Sequence, residues 1–112
     1  EKYHKLCYEI LRAARLIIDT GIHYFEWDYE KCKNFISKNT SKKDIDEILR
    51  YNSIPGQALT YKMGEQVIIF LRDKYLEKNK NGLKDFNELI LKQGPIPLDL
   101  LINEVKKYIN KL

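Results

Sequence analysis

The chain has 112 residues, 44% hydrophobic and 32% charged, with a formal net charge of +4, which suits one small globular domain with a workable core. No apolar run approaches the roughly 20 residues that span a bilayer and no secretory signal pattern is present, which argues against a membrane partner. Lysines are interleaved with acids along the chain, the pattern of solvated helix faces, and no recognition motif accompanies them, which argues against a nucleic-acid partner.

The sequence opens at Glu1 directly in a helical pattern, and the expectation is a piece of something longer. The first predicted helix covers residues 3–20, with Tyr3, Leu6, Ile10, Ala14 and Ile17 repeating at three and four; Leu11, Leu16 and Ile18 widen the apolar surface. A helix apolar over most of its circumference is buried on more than one side. The remaining gap carries Tyr8, Arg12, Arg15 and Asp19. Charges on such a helix are paired or line a wet cleft, and Arg15 and Asp19, four apart, are placed to pair. Gly21 is expected to end the helix as a left-handed cap, with His23 on the following turn. Asp28 is expected to cap a helix over 29–38 with Cys32, Phe35 and Ile36 inward and Asn39 as its left-handed terminus. Ser41, with Asp44 at the third helical position, caps a short helix with Ile45, Ile48 and Leu49 on its inner face. Cys7 and Cys32 have no partner Cys or His at ligand spacing and read as reduced thiols of a cytoplasmic protein.

Tyr51–Gly64, reading Y-N-S-I-P-G-Q-A-L-T-Y-K-M-G, is the stretch around which the rest is organised. Pro55 and Gly56 break the preceding helix and a central helix, about 57–78, begins at once. Such a start leaves N–H groups pointing at whatever sits there. Gln57, Tyr61, Gly64 and Ile68 share one stripe of the new helix, so an amide, a phenol and a gap lie side by side. Helix packing and substrate contact are both open readings of that stripe. The central helix has an apolar face of Leu59, Met63, Val67, Phe70 and Leu71, extended by Ile68 and Tyr75. A shorter helix with Phe86, Leu89 and Ile90 inside ends at Gly94. Pro95 and Pro97 precede a last helix in which Leu98, Leu101, Ile102, Val105, Tyr108 and Ile109 repeat at helical spacing. No segment alternates as a strand does, so the fold class is all-α, five to six helices around the long central one. The whole of residues 1–112 reads as a single helical domain or fragment.

Self-contained chemistry is missing: there is no H-E-x-x-H, Walker loop, C-x-x-C or G-x-S-x-G. With only His4 and His23, a His-rich metal site cannot be built from this chain.

Three segments carry a family resemblance: L-R-A-A-R-L-I-I-D-T-G-I-H at 11–23, Y-N-S-I-P-G-Q-A-L-T-Y-K-M-G at 51–64 and L-K-Q-G-P-I-P-L-D-L-L at 91–101. In this order and spacing they resemble the C-terminal part of the bacterial family called domain of unknown function eight-hundred-eighty-five. That family is similar to zinc peptidases of the thermolysin-like clan, with metal-binding motifs upstream of this region. The resemblance implies the C-terminal portion of a zinc-hydrolase-like parent, without metal ligands of its own. Zinc would then belong to the parent, and the absent zinc-binding half would be a partner. It also implies roles. Tyr61 would donate a hydrogen bond to the oxyanion of peptide hydrolysis, with His23 as a second donor. Gly56, Gln57 and Tyr51 would hold peptide substrate, and Arg12 or Arg15 would bind a peptide carboxylate with Asp19 orienting the guanidinium. The alternative of another class is a non-catalytic helical scaffold or interaction domain. A truncated piece would also expose an apolar surface and self-associate through it.

Overall fold

A computed structural model describes residues 1–40 and 45–112, so the expected Ser41 and Asp44 cap lies outside the described residues, as does the side chain of Ile45. The fold is all-α. Among the described residues there are six helices, α1 Lys2–His23, α2 Tyr29–Asn39, α3 Ile45–Ser53, α4 Thr60–Lys78, α5 Leu83–Lys92 and α6 Leu98–Lys111, and a 3-10 turn at Gln57–Leu59. None of these helices is long and apolar enough to cross a membrane. The chain forms two compact units, Glu1–Lys62 and Met63–Leu112.

In the first unit, α1 packs against α2, α3 and the 3-10 turn. Its core is Ile18, Cys32, Ile36, Ile48, Tyr51 and Ala58, with Ile22, Trp27 and Phe35 packed against it. The inward face of α1 differs from the expected one. Tyr3, Leu6, Ile10 and Ile17 are exposed, and the buried residues are Ala14, Arg15, Ile18, Asp19 and Gly21. α1 carries two apolar stripes, and the one turned inward is the one that includes the charges.

Gly21 is not a cap. α1 runs on to His23, and the left-handed residue is Glu26, with φ 54°. Gly21 is needed for room: a Cβ there would stand 2.6 Å from the Trp27 indole. The Gly21 carbonyl also accepts the Trp27 N–H at 2.9 Å, so the segment after α1 folds back onto the helix. Asp28 caps α2 as expected, its carboxylate accepting the Lys31 N–H at 2.8 Å. Asn39 does not take a left-handed conformation. α2 ends at Thr40 in extended backbone, and the Asn39 amide donates to the Phe35 carbonyl at 2.9 Å. Burial raises the Cys32 thiol, with the Asp28 charge adding to it.

The second unit is built from the rest of α4 with α5 and α6. Its core is Leu71, Tyr75, Phe86, Leu89, Leu101, Val105 and Ile109, with Val67, Leu76, Ile90, Ile96 and Ile102 packed against it. The buried face of α4 is narrower than its sequence implies, because Met63, Ile68 and Phe70 are exposed. Gly94 sits two residues past α5 with φ 65°, the left-handed position that lets the chain turn back, and Pro97 precedes α6. The Lys78 ammonium donates to the Ile109 carbonyl at 2.9 Å, satisfying one of the last acceptors of α6.

Candidate functional site

Arg15, Asp19 and His23 stand at intervals of four along α1 and so form one stripe. His23 meets the Tyr51 carbonyl within α3, and Arg15 and Asp19 meet the segment that leaves α3. Pro55 and Gly56 make a tight turn there, closed by the Gln57 N–H on the Ile54 carbonyl at 3.3 Å. Gly56 has φ 82° and ψ −18°, the third position of a type II turn, which favours glycine for its backbone. No atom lies within 4 Å of a Cβ built there, so conformation rather than space selects it.

This turn aims the Gly56 N–H at the Asp19 carboxylate, 3.1 and 3.2 Å from its two oxygens. Asp19 is 3% exposed. The expected Arg15–Asp19 pair is not formed. Asp19 serves the turn, and Arg15 donates from Nη2 to Gln57 Oε1 at 3.0 Å. Of the N–H groups expected to point outward at the start of the central helix, that of Gly56 is already engaged.

Arg15 is 9% exposed, and its guanidinium carbon lies 5.3 Å from the Tyr51 ring centroid and 4.9 Å from that of Tyr61. Both distances are within cation–π range. Of the guanidinium nitrogens, Nε is buried without a hydrogen-bond partner. Tyr51 is buried, and its hydroxyl also makes no hydrogen bond by distance and angle. Burial first, then a hydrogen-bonding interaction with the Glu47 carboxylate and its charge, push this phenol well above the usual tyrosine range, against the opposing pull of Arg15 and Arg50. Tyr51 is therefore a neutral wall of the site.

His23 is exposed, and its Nε2 lies 3.0 Å from the Tyr51 carbonyl oxygen. A carbonyl only accepts, so Nε2 carries the hydrogen and Nδ1 of the neutral ring holds the lone pair. His23 is the last residue of α1 rather than a residue beyond its cap. Its expected use as a donor from Nδ1 requires the doubly protonated ring. Tyr61, in the first turn of α4, is 48% exposed, and its hydroxyl has no hydrogen-bond partner among the described residues.

The structure thus brings Arg15, Asp19, Tyr51, Gly56, Gln57 and Tyr61 into one connected cluster and ties His23 to it through Tyr51. Arg12 is exposed and makes no hydrogen bond or ion pair with this cluster. Sequence reasoning passed over two contributors. Glu47 lies one helical turn before Tyr51, a spacing that marked it as a neighbour. Trp27 lies over Gly21, with no periodic signal to announce it.

Among the described residues, no three His, Cys, Asp or Glu side chains gather to hold a metal ion. The donor set among the described residues does not fit zinc.

The geometry defines a helical unit with a polar cluster set against one face of its longest helix. Residues 1–105 match the family described as Bacterial protein of unknown function (DUF885), and the chain belongs to that family. No curated protein and no solved structure matched the chain.

Proposed function

We propose that this chain is the substrate-side portion of a metallopeptidase-like hydrolase, in which Tyr61 donates a hydrogen bond to the developing oxyanion of a peptide bond. The zinc of that parent would be held by residues outside this chain. The observation that carries the reading is the Tyr61 phenol: it is exposed, its hydroxyl is uncommitted, and its ring is steadied by the Arg15 guanidinium. A neutral phenol suits an oxyanion, because it donates without adding a charge that must be desolvated. The Gly56–Gln57 turn beside it is rigid, with Asp19 holding the backbone and Arg15 holding the amide. Substrate contacts placed on it cost little ordering entropy. His23 serves as a second donor only as the imidazolium; as the neutral ring it accepts.

The test uses a full-length family member that contains this chain, assayed for peptide hydrolysis. Tyr61→Phe should lower kcat by roughly 10²–10³-fold with little change in KM, the scale of removing one oxyanion donor. Unchanged kcat, or no hydrolysis by the unsubstituted protein, would reject the reading.

A second reading, a non-catalytic scaffold or interaction domain, is favoured by the exposed Tyr3, Leu6, Ile10 and Ile17 on α1. Their spacing of three, four and seven makes an apolar stripe that another helix can cover, whether from the parent protein or from a second copy.

A further inference from the structure

We infer that Arg15, Gln57 and Tyr61 form a binding site for a carboxylate carried on a peptide. The inference rests on the substrate-side reading above and gives it a substrate class.

The first warrant is charge. Arg15 is more than nine-tenths buried, yet no carboxylate lies within ion-pair distance of it among the described residues. A buried guanidinium normally meets an acid, because desolvating it costs several kcal/mol otherwise. Asp19, four residues on in the same helix, accepts the Gly56 N–H and makes no ion pair with Arg15.

The second warrant is the count of donors. Nη2 of Arg15 gives one of its two hydrogens to Gln57 and Nε is buried, so the Nη1 hydrogens have no bond to another described residue. Gln57 spends its carbonyl oxygen on Arg15, so what it has left to offer is its NH₂ group. The Tyr61 hydroxyl is uncommitted and its ring lies 4.9 Å from the guanidinium carbon. The cluster therefore presents hydrogen-bond donors from three side chains, and among the described residues neither Asp19 nor Glu47 makes an ion pair with the guanidinium. An anion with two oxygens matches this set, one oxygen on Nη1 and the other on the phenol or amide. The rings of Tyr51 and Tyr61 hold the guanidinium in place, which lowers the ordering cost of binding.

Two kinds of peptide carboxylate share this chemistry, the C-terminal group and the side chain of Asp or Glu. The 112-residue chain, labelled with ¹⁵N, is titrated with an N-acetylated dipeptide bearing a free C-terminal carboxylate, with its C-terminal amide, and with an amidated N-acetyl-aspartyl peptide. Saturable shifts at the Gly56, Gln57 and Tyr61 amides are expected with at least one of the carboxylates. The two acids compared identify the source. The fully amidated dipeptide should bind about tenfold or more weakly, the worth of a charge-assisted hydrogen bond. Arg15→Gln should remove the preference for acid over amide. Should that variant fail to fold, Tyr61→Phe, which alters only an exposed side chain, should still weaken acid binding about threefold or more. Equal binding of acid and amide, tighter binding of inorganic phosphate, no saturable shift at millimolar peptide, or binding untouched by Tyr61→Phe and Arg15→Gln would each overturn the assignment. Peptide hydrolysis by the full-length protein without acid preference would reject this site and leave the catalytic reading standing.

Discussion

The two units bury different things. The interior of the second is hydrocarbon and aromatic rings, with Tyr75 and Phe86 at 5.6 Å, and its ion pairs lie on the surface, as in Lys74–Glu77 and Lys107–Glu104. The first buries a guanidinium, a carboxylate and a phenol beside an apolar core of similar size. Exposed pairs add little to stability, and an apolar core needs no polar help. A unit that buries Arg15 and Asp19 without pairing them is less stable than its packing allows. Natural sequences make such departures from the most stable choice at functional sites, which is consistent with the proposed role of this cluster.

Substitutions at four positions break or sharpen this contrast. Phe86→Ala should cost the most, about 3–5 kcal/mol, because the ring is fully buried in a core that has only packing to rely on. Amide exchange of α5 and α6 would register the loss, and a cost below about 1 kcal/mol would contradict so tight a core.

Asp19→Ala should cost about 2–4 kcal/mol, since it strips the Gly56 N–H of its acceptor and takes a negative charge from beside Arg15. Asp19→Asn, which keeps an acceptor, should recover part of this in urea unfolding followed by circular dichroism. Equal costs for the two would mean that the charge matters and the hydrogen bond does not.

Gly21→Ala should cost about 1–3 kcal/mol by pushing the indole off α1. Trp27 is the only tryptophan, so its emission should shift toward that of an exposed indole. An unshifted spectrum with full stability would show that the contact yields freely.

The smallest effect at neutral pH belongs to Tyr51→Phe. Removing a buried hydroxyl that has Glu47 beside it but no hydrogen bond of good distance and angle should change stability by less than about 1 kcal/mol. The pH dependence carries the sharper signal. The folded phenol titrates above its unfolded value, so its contribution is fully present below the ordinary tyrosine range and is lost as pH rises beyond it. The unsubstituted chain should therefore lose stability at alkaline pH more steeply than Tyr51→Phe does, as thermal melts across that range would reveal.

Features that depend on a few adjacent residues were legible. The Pro55–Gly56 break, the Asp28 cap and the turn at Gly94 follow from local backbone preference, and the structure has all three. Gly21 was misread because a glycine near a helix end usually serves conformation, whereas here it makes room for a ring six residues onward. The inward face of α1 was misread because two apolar stripes competed, and the choice fell to partners on α2 and α3. The polar stripe itself stood out, since charges on an apolar helix demand an explanation. Its pairing did not: Gln57 and Gly56 come from 42 and 37 residues away, and no helical spacing encodes that distance. Roles beyond placement depend on what the site meets, which neither spacing nor burial specifies.

α1 is 22 residues long, but no side chain before Ala14 is buried. A free peptide of that first dozen would scarcely be helical in water, because starting a helix fixes several residues before any hydrogen bond repays it. Here the anchored half supplies the nucleus, and the outer turns need only be added one residue at a time. Their winding should loosen gradually on warming, ahead of the cooperative transition of the core. A partner that lies along Tyr3, Leu6 and Ile10 meets turns already started, and spends its binding energy on completing a helix rather than on beginning one.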